Sequence, residues 1–201
     1  EVTAALVTAD TLVVASTATV TITDNPSISD LNAIAAKTSG VVTATLAADS
    51  LSNLGALTTA GTDAITITVN DAAEADVTAA NLSTLGGKTA GTVTVSNAVD
   101  ITGSASDLTA ALVTADTLVV ASTATANISD AAETDIAATV LSAIGAKTSG
   151  AVTATNAIDI AGTASELTAA LVTTDTLVVA STATATISDA AETDIAATVL
   201  S

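Results

Sequence analysis

The amino-acid sequence predicts an α/β repeat protein, a right-handed solenoid in which parallel β-strands stack coil on coil and each coil carries one helix. Three observations support this fold class. A long block of sequence returns almost unchanged further along the chain, the large aliphatic residues are accompanied by no aromatic ones, and Thr-rich segments alternate with Ala-rich segments. Self-similarity at a fixed period is typical of solenoids, whose neighbouring repeats share one thin core.

The repeat itself is the most regular feature of the chain. Residues 107–142 return as 166–201 with three changes only, and the nonapeptide Thr117–Thr125 also occurs at 11–19 and 176–184. Residues 1–10 closely match the mid-repeat stretch 166–175, and the chain stops inside a repeat. We therefore expect residues 1–201 to be one continuous repeat array and a segment of a longer chain.

Strands are predicted where Thr alternates with aliphatic residues. In the first such region, 11–24, Thr17, Thr19 and Thr21 alternate with Ala18 and Val20, a period of two that buries one face. Similar segments place the starts of coils near residues 11, 41, 64, 92, 117, 151 and 176. Strands joined through a crossover helix pair in parallel with a right-handed connection, which predicts the handedness.

Helices are predicted between these strands by two recurring motifs. The capping-box spacing of Asp130-Ala-Ala-Glu133, repeated at 71–74 and 189–192, predicts helix starts. Lys147-Thr-Ser-Gly150, repeated at 37–40 and with one change at 88–91, holds all three lysines and predicts helix ends. There Lys would meet the negative end of the helix dipole and Gly would form a left-handed cap. The coil 117–150 is expected to carry a long helix and 151–175 a short one.

Composition restricts the core and the partners. Aromatic side chains usually supply much of the buried area of a globular domain, whereas a solenoid fills only a narrow space that Val, Ile, Leu and Ala suffice to pack. The net charge of −18 argues against binding of nucleic acid, which needs clustered Lys and Arg. It makes divalent cations plausible partners, because they relieve self-repulsion. No apolar run is long enough for a membrane helix.

Catalysis has little chemical basis in this sequence. There is no His, Cys, Tyr or Arg, and the three lysines fall at predicted helix ends. We therefore predict a protein that is not an enzyme and needs no cofactor, with Ca²⁺ as the one candidate metal ion.

The acids at predicted helix starts are the candidate metal ligands. Ca²⁺ takes six to eight oxygen ligands, and three similar sets of acids could offer some of them. We favour helix capping for these acids, because it explains their spacing without a metal. The residues are Asp71, Glu74, Asp76, Asp130, Glu133, Asp135, Asp189, Glu192 and Asp194.

Thr-x-Thr segments form a second candidate surface. On the outward face of successive coils they would give a regular hydroxyl grid, similar to the ice-binding faces of some antifreeze solenoids. The competing interpretation is that Thr is simply a good strand former on a wet face. The pairs are Thr43/Thr45, Thr66/Thr68, Thr94/Ser96 and Thr153/Thr155.

One pattern resembles tandem repeats in very large secreted surface proteins of bacteria, cyanobacteria especially. It consists of a strand, an Asp-capped Ala-rich segment and a Thr-rich strand, as in residues 186–195 and 150–156. This resemblance implies an extracellular filament, an S-layer-like lattice or an adhesin, often with Ca²⁺. The Gly-rich Ca²⁺-binding motif of better-known relatives is missing. We expect a structural role that includes end-to-end self-association, with a ligand-binding surface for ice or Ca²⁺ as the alternative.

Overall fold

A computed structural model describes residues 1–8, 13–114, 119–174, 176 and 178–190. Within these residues the helices are α1 (Val2–Leu6), α2 (Ile28–Ala35), α3 (Leu51–Leu54), α4 (Ala79–Gly86), α5 (Ala105–Leu108), α6 (Ala138–Gly145) and α7 (Ala164–Leu171), and α5 continues as a π-helical turn over Thr109–Val113. The strands are β1 (Val20–Thr21), β2 (Val42–Thr45), β3 (Ala64–Val69), β4 (Asp76–Thr78), β5 (Val93–Val95), β6 (Asp100–Gly103), β7 (Val119–Val120), β8 (Thr125–Ile128), β9 (Asp135–Ala137), β10 (Val152–Ala154), β11 (Asp159–Gly162), β12 (Val178–Val179) and β13 (Thr184–Ile187).

The strands form three sheets in which every described pairing is parallel. The first sheet has the order β1-β2-β3-β5-β7, the second β12-β10-β8-β6-β4 and the third β13-β11-β9. Strand β3 is shared along its length, because Thr66 pairs with β2 whereas Ile67 pairs with β5. The predicted α/β class with parallel strands is therefore confirmed.

The chain divides into two compact units. One consists of Glu1–Asp71, Asn81–Ser96 and Thr114–Val120 and contains the first sheet. The other consists of Ala72–Ala80, Asn97–Val113 and Ala121–Ser201 and contains the second and third sheets. Each unit is therefore assembled from three segments that are separate in sequence.

Strands begin near most of the positions at which the sequence predicted strand segments. Strands begin at residues 42, 64, 93, 119, 152 and 178, within two residues of six predicted starts, and a helix lies between each successive pair. The start predicted near residue 11 lies outside the described residues. In the rest of the predicted strand 11–24, only Val20–Thr21 forms a strand.

Alternate residues of a strand such as β2 point into the core, and the residues between them are exposed. In β2 the side chains of Val42 and Ala44 are buried while Thr43 and Thr45 are exposed. Helices add Leu and Ile, such as Leu141 and Ile144 of α6, both fully buried. Small aliphatic residues thus fill the interior without a single aromatic ring.

The sequence repeat does not place equivalent strands side by side. The shift that carries residue 107 to residue 166 also carries β4 onto β9, β6 onto β11 and β7 onto β12. Strands β4 and β6 belong to the second sheet, whereas β9 and β11 belong to the third. Equivalent residues therefore lie in successive sheets.

The predicted helix starts at Asp71 and Asp130 are wrong. Turns follow both residues, short strands come next, and α4 and α6 begin only at Ala79 and Ala138. Ile136, which follows Asp130 in the predicted helix, lies in β9 instead. The helix start predicted at 189–192 lies largely outside the described residues. The predicted difference in helix length is also wrong, because α6 and α7 both contain eight residues.

Candidate functional site

The candidate functional site is the joint between neighbouring strands, built around the motif K-T-x-G, where x is Ser or Ala. Its Thr is the central residue. Thr89 is only 1 % exposed, and its Oγ1 accepts hydrogen bonds from the backbone N–H groups of Ile65 and Gly91, both 2.8 Å away. The same hydroxyl lies within donating distance of two carbonyl oxygens, those of Ile65 at 2.7 Å and Asp63 at 3.0 Å.

The other two copies of the motif make the same kind of joint. Thr38 Oγ1 donates to the Ala18 carbonyl at 2.5 Å, and Thr148 Oγ1 donates to the Ala124 carbonyl. In each copy the Thr side chain ties the strand that follows it to the backbone of the preceding parallel segment. Sequence reasoning missed this role, although Thr is present in all three copies.

The Gly of the motif allows the two backbones to approach. A Cβ at Gly150 would lie 2.2 Å from the Ala124 carbonyl oxygen, and one at Gly91 would lie 2.3 Å from the Ile65 carbonyl oxygen. No described glycine has a positive φ, so the prediction of a left-handed cap was wrong. The physical reason for Gly here is space for the neighbouring strand.

The lysines do not lie in the last turns of the helices that precede them. Lys88 instead donates from Nζ to the carbonyl oxygen of Gly55, the C-cap residue of α3, at 2.8 Å. The predicted meeting of a cation with a helix C-terminus therefore occurs, but on an earlier helix than predicted.

A buried carboxylate also links two neighbouring strands by accepting backbone hydrogen bonds. Asp63 is only 5 % exposed and accepts from Val42 N–H at 2.8 Å and from Ala60 N–H at 3.0 Å. The pairing links an acid just before β3 to the first residue of β2. Nothing in the sequence marks Asp63 as different from the other acids except its place directly before a strand.

The first acid of each predicted metal set bonds to an earlier helix. Asp71 accepts from Leu51 N–H at 2.7 Å, Asp130 from Ala105 N–H at 2.6 Å and Asp189 from Ala164 N–H at 2.7 Å. The three donors are the first residues of α3, α5 and α7. These acids thus cap helices, although not the helices predicted from their spacing, and each cap joins two segments that are distant in sequence.

The other described acids of those sets do not gather around a common point. Glu74 and Glu133 are exposed and adopt positive φ values of 63° and 64°, which shape the turns before β4 and β9. Asp76 and Asp135 are exposed on those strands. Glu192 and Asp194 lie outside the described residues. Among the described residues no group of three or more acids is placed to hold a metal ion.

Pairs of like charge do lie next to each other on the strands. Asp76 pairs in register with Asp100, and Asp135 pairs with Asp159. The next strand in each sheet contributes a Thr whose hydroxyl donates to the second acid, Thr125 to Asp100 and Thr184 to Asp159. These hydrogen bonds partly offset the repulsion that neighbouring carboxylates cause.

One acid has a shifted pKa. The side-chain amide of Asn53 and the backbone N–H of Ser50 both donate to Asp49 Oδ1 at 2.8 Å. The Asn53 bond, followed by the Ser50 bond, lowers the pKa of Asp49 below its ordinary value. The ionised form of Asp49 therefore accepts these two hydrogen bonds at the start of α3.

The predicted Thr grid is present only in part. Thr43, Thr45, Thr66 and Thr94 are exposed on β2, β3 and β5 of the first sheet, and Thr45 pairs with Thr66. Thr68, half-buried, pairs with Thr94. The other hydroxyls of the predicted grid either bond to the protein's own backbone or have no Thr beside them in the sheet. The Ser96 and Thr155 hydroxyls donate to carbonyls of earlier strands, and Thr153 lies in the second sheet between Asn127 and Val179.

No family model matches this sequence, and neither a curated protein nor a solved structure matches it. In the part of the chain that the structure describes, no helix is long and apolar enough to cross a membrane. The resemblance to bacterial surface repeats thus stays a prediction, and the geometry of the joints is the basis for a function.

Proposed function

We propose that this chain is a non-enzymatic structural protein, a stiff solenoid segment of an extracellular filament, surface layer or adhesin stalk that assembles by stacking of coils. The observation that carries the proposal is the set of hydrogen bonds at the joints between neighbouring strands. The polar side chains at the K-T-x-G motifs and at the buried or capping aspartates bond to the backbone of segments that are distant in sequence. That separation is one coil in the proposed solenoid.

The strand registers support stacking of consecutive coils. Val93 pairs with Val119 and Val152 pairs with Val178, at the same offset in sequence. Earlier in the chain Val20 pairs with Val42, at a slightly shorter offset. These offsets match the length expected for one turn of a solenoid, and each turn hydrogen-bonds only to its neighbours. The right-handed winding rests on the handedness of crossover connections.

The chemistry of the joints favours a structural role over a catalytic one. A catalytic carboxylate must have oxygens free to meet a substrate, whereas both oxygens of buried Asp63 accept backbone N–H groups. The buried Thr89 hydroxyl is likewise surrounded by backbone partners. Residues of this kind make the backbone stiff and repeatable, which is what a filament segment requires.

Electron microscopy with fibre diffraction tests the proposal. Negatively stained protein should show long thin fibres, and aligned fibres should give an axial strand spacing of ~4.8 Å. Loss of the fibres in EDTA would add a divalent cation to the assembly. Compact particles that never associate over a wide range of concentration would refute the filament role.

A second candidate function is ice binding through the first sheet. The exposed Thr43, Thr45, Thr66 and Thr94 side chains support it, since their strands hold them at regular spacing. Thermal hysteresis measures it directly. Replacing Thr66 by Lys should abolish the hysteresis while leaving the circular dichroism spectrum unchanged, and a wild-type protein without hysteresis would exclude this function.

A further inference from the structure

The joint between α2 and residues 58–63 is built differently from the K-T-x-G joints. At each of those motifs a Cβ on the glycine would lie 2.2 or 2.3 Å from a carbonyl oxygen of an earlier segment. The sequence Thr-Thr-Ala-Gly at 58–61 matches the motif except that Thr replaces Lys. A Cβ at Gly61 would instead lie 2.8 Å from the carbonyl oxygen of Gly87, later in the chain, and no atom of residues 32–40 lies within 4 Å of it. The glycine of this joint therefore leaves space on the side of α2.

A polar cavity of about 190 Å³ occupies that space. A bound water needs only about 10–15 Å³ of comparable volume, so the cavity has room for an ion together with several waters. Ser39, Thr58 and Thr62 are exposed, which opens the cavity to solvent. The polar side chains that line it, all in the first compact unit, belong to Asn32, Thr38, Ser39, Thr58, Thr62 and Asp63.

Asp63 gives the cavity a buried charge. Among the described residues it is the only buried side chain that carries a charge. Its carboxylate accepts from the N–H groups of Val42 and Ala60, which are both neutral. A carboxylate has about four lone-pair sites, so these two bonds leave about half of them for another partner. Since buried charges are paired with an opposite charge or bound to a metal ion, the chemistry of Asp63 points to a cation.

The opposite wall of the cavity also favours a cation. Ala35 and Ala36 line it at the C-terminal end of α2, where the helix dipole is negative, and the last turn of α2 contains no basic residue. Lys37 is exposed and is not among the lining residues. The corresponding end of α3 differs, because Lys88 Nζ donates to the carbonyl oxygen of its C-cap residue Gly55. The net charge of −18 adds a general attraction for cations.

We propose that this cavity binds a hard metal cation through oxygen atoms. Asp63 supplies the charged ligand, and the hydroxyls of Thr58 and Thr62 supply neutral ligands together with water. Ca²⁺ takes six to eight such oxygens in a flexible geometry. With one carboxylate in the site we expect weak binding, with a dissociation constant of about 10⁻⁴–10⁻³ M. The bound cation joins residues 58–63 to the end of α2, where the glycine contact of the other joints is absent. The site goes beyond the proposed structural function and does not require fibre formation.

Equilibrium dialysis of the full chain measures the binding. Radioactive Ca²⁺ and, separately, radioactive Rb⁺ as a tracer for K⁺ are the probes, at an ionic strength held constant with tetramethylammonium chloride. Dialysis counts bound ions whether or not the chain assembles, so a failure of the filament role leaves this test intact. Saturable binding to one site per chain is the expected result, and the ion that saturates it shows whether the site is divalent or monovalent.

Variants locate the bound ion. Asp63→Asn removes the charged ligand and should weaken binding at least about tenfold. Thr58→Val combined with Thr62→Val removes neutral ligands, leaves the N–H bonds of Asp63 in place and should weaken binding at least about threefold. The matched control is Asp100→Asn, which removes one carboxylate of the neighbouring pair Asp76 and Asp100 outside the cavity lining. It should change the affinity by less than about twofold, because separate sites act independently. Circular dichroism confirms that each variant folds.

Three results would overturn the cation site. The first is no saturable binding of either ion to folded wild type. The second is equal loss of binding in Asp63→Asn and Asp100→Asn, which would mean that the ions follow the surface acids in general. The third is unchanged binding in the folded Thr58→Val, Thr62→Val variant, which decides the question even if Asp63→Asn does not fold.

Discussion

Replacing Gly150 by Ala tests the joint at its tightest point. A Cβ there would lie 2.2 Å from the Ala124 carbonyl oxygen, 2.7 Å from its carbonyl carbon and 3.0 Å from the Thr125 nitrogen, whereas ordinary contact begins at 3.4 Å. All three atoms belong to the backbone of the neighbouring segment. No side-chain rotation can relieve the overlap, so the two strands must separate.

The expected cost follows from two contributions. Overpacking of a well-packed site costs about 1–3 kcal/mol. Separation of the strands also weakens the hydrogen bonds of Thr148 and Ser149 to the preceding segment, at about 1 kcal/mol each. We therefore expect Gly150→Ala to lower the free energy of unfolding by about 3–5 kcal/mol. For a chain of this length that corresponds to a fall in melting temperature of about 6–20 °C.

Gly87→Ala is the matched control. The nearest atoms to a Cβ at Gly87 are the carbonyl oxygens of Ser83 and Thr84, both at an ordinary 3.6 Å. With no positive φ at this glycine, Ala should be neutral or stabilise by up to about 1 kcal/mol, because it restricts the unfolded chain. Thermal melts by far-ultraviolet circular dichroism suit a chain without aromatic residues.

Hydrogen exchange locates the effect, since stability varies along a repeat protein. Protection should fall first in β8 and β10 of the Gly150→Ala variant. A melting temperature within about 2 °C of wild type, or an equal loss in Gly87→Ala, would refute the close-approach explanation at the resolution of such melts.

Three further predictions concern the polar groups. Thr89→Val should cost about 2–4 kcal/mol in chemical denaturation because two buried N–H groups lose their acceptor, whereas Thr66→Val on the exposed face should change stability by less than about 0.5 kcal/mol. The pKa of Asp49 is lower in the folded chain, so its contribution is present above the ordinary carboxyl pKa and lost as pH falls through the folded value. The melting temperature of Asp49→Asn should consequently depend less on pH below about 5 than that of wild type, and equal pH profiles would contradict this. Added NaCl should raise the wild-type melting temperature by screening the 21 acids, and Asp135→Asn should stabilise at low salt by about 0.2–1 kcal/mol, because Asp159 is its neighbour on the next strand; a salt-independent melt would argue against the repulsion.

The sequence predicted the Thr-rich strands after the K-T-x-G motifs well because their signal is local. Alternation of Thr with Val or Ala over a few residues directly reports one buried face, as in β2 and β5. The start of α2 was also predictable, since Ser27 accepts from Asp30 N–H as an N-cap residue does.

Contacts between segments distant in sequence were not predictable in the same way. The spacing of Asp130 and Glu133 matches a capping box, yet Asp130 caps α5, which begins at Ala105, earlier in the chain. A capping motif is a relation between residues in space, and sequence spacing identifies it only when both partners belong to one turn. The left-handed cap predicted at the Gly of K-T-x-G was wrong for the same reason. The atoms that require Gly there belong to the backbone of another segment.

The length of the repeat explains why equivalent strands lie in successive sheets. Ala126 of β8 pairs with Val152 of β10, which pairs with Val178 of β12, so two pairings lead from position 126 to position 178. The sequence repeat instead leads from Ala126 to Ala185, which lies further along the chain by roughly the length of a short strand with its turn. Strand β13 therefore cannot follow β10 in the second sheet, and β12 takes that place while β13 joins the third. Along the chain, the second sheet begins at β4 before the first ends at β7, and the third begins at β9 before the second ends at β12.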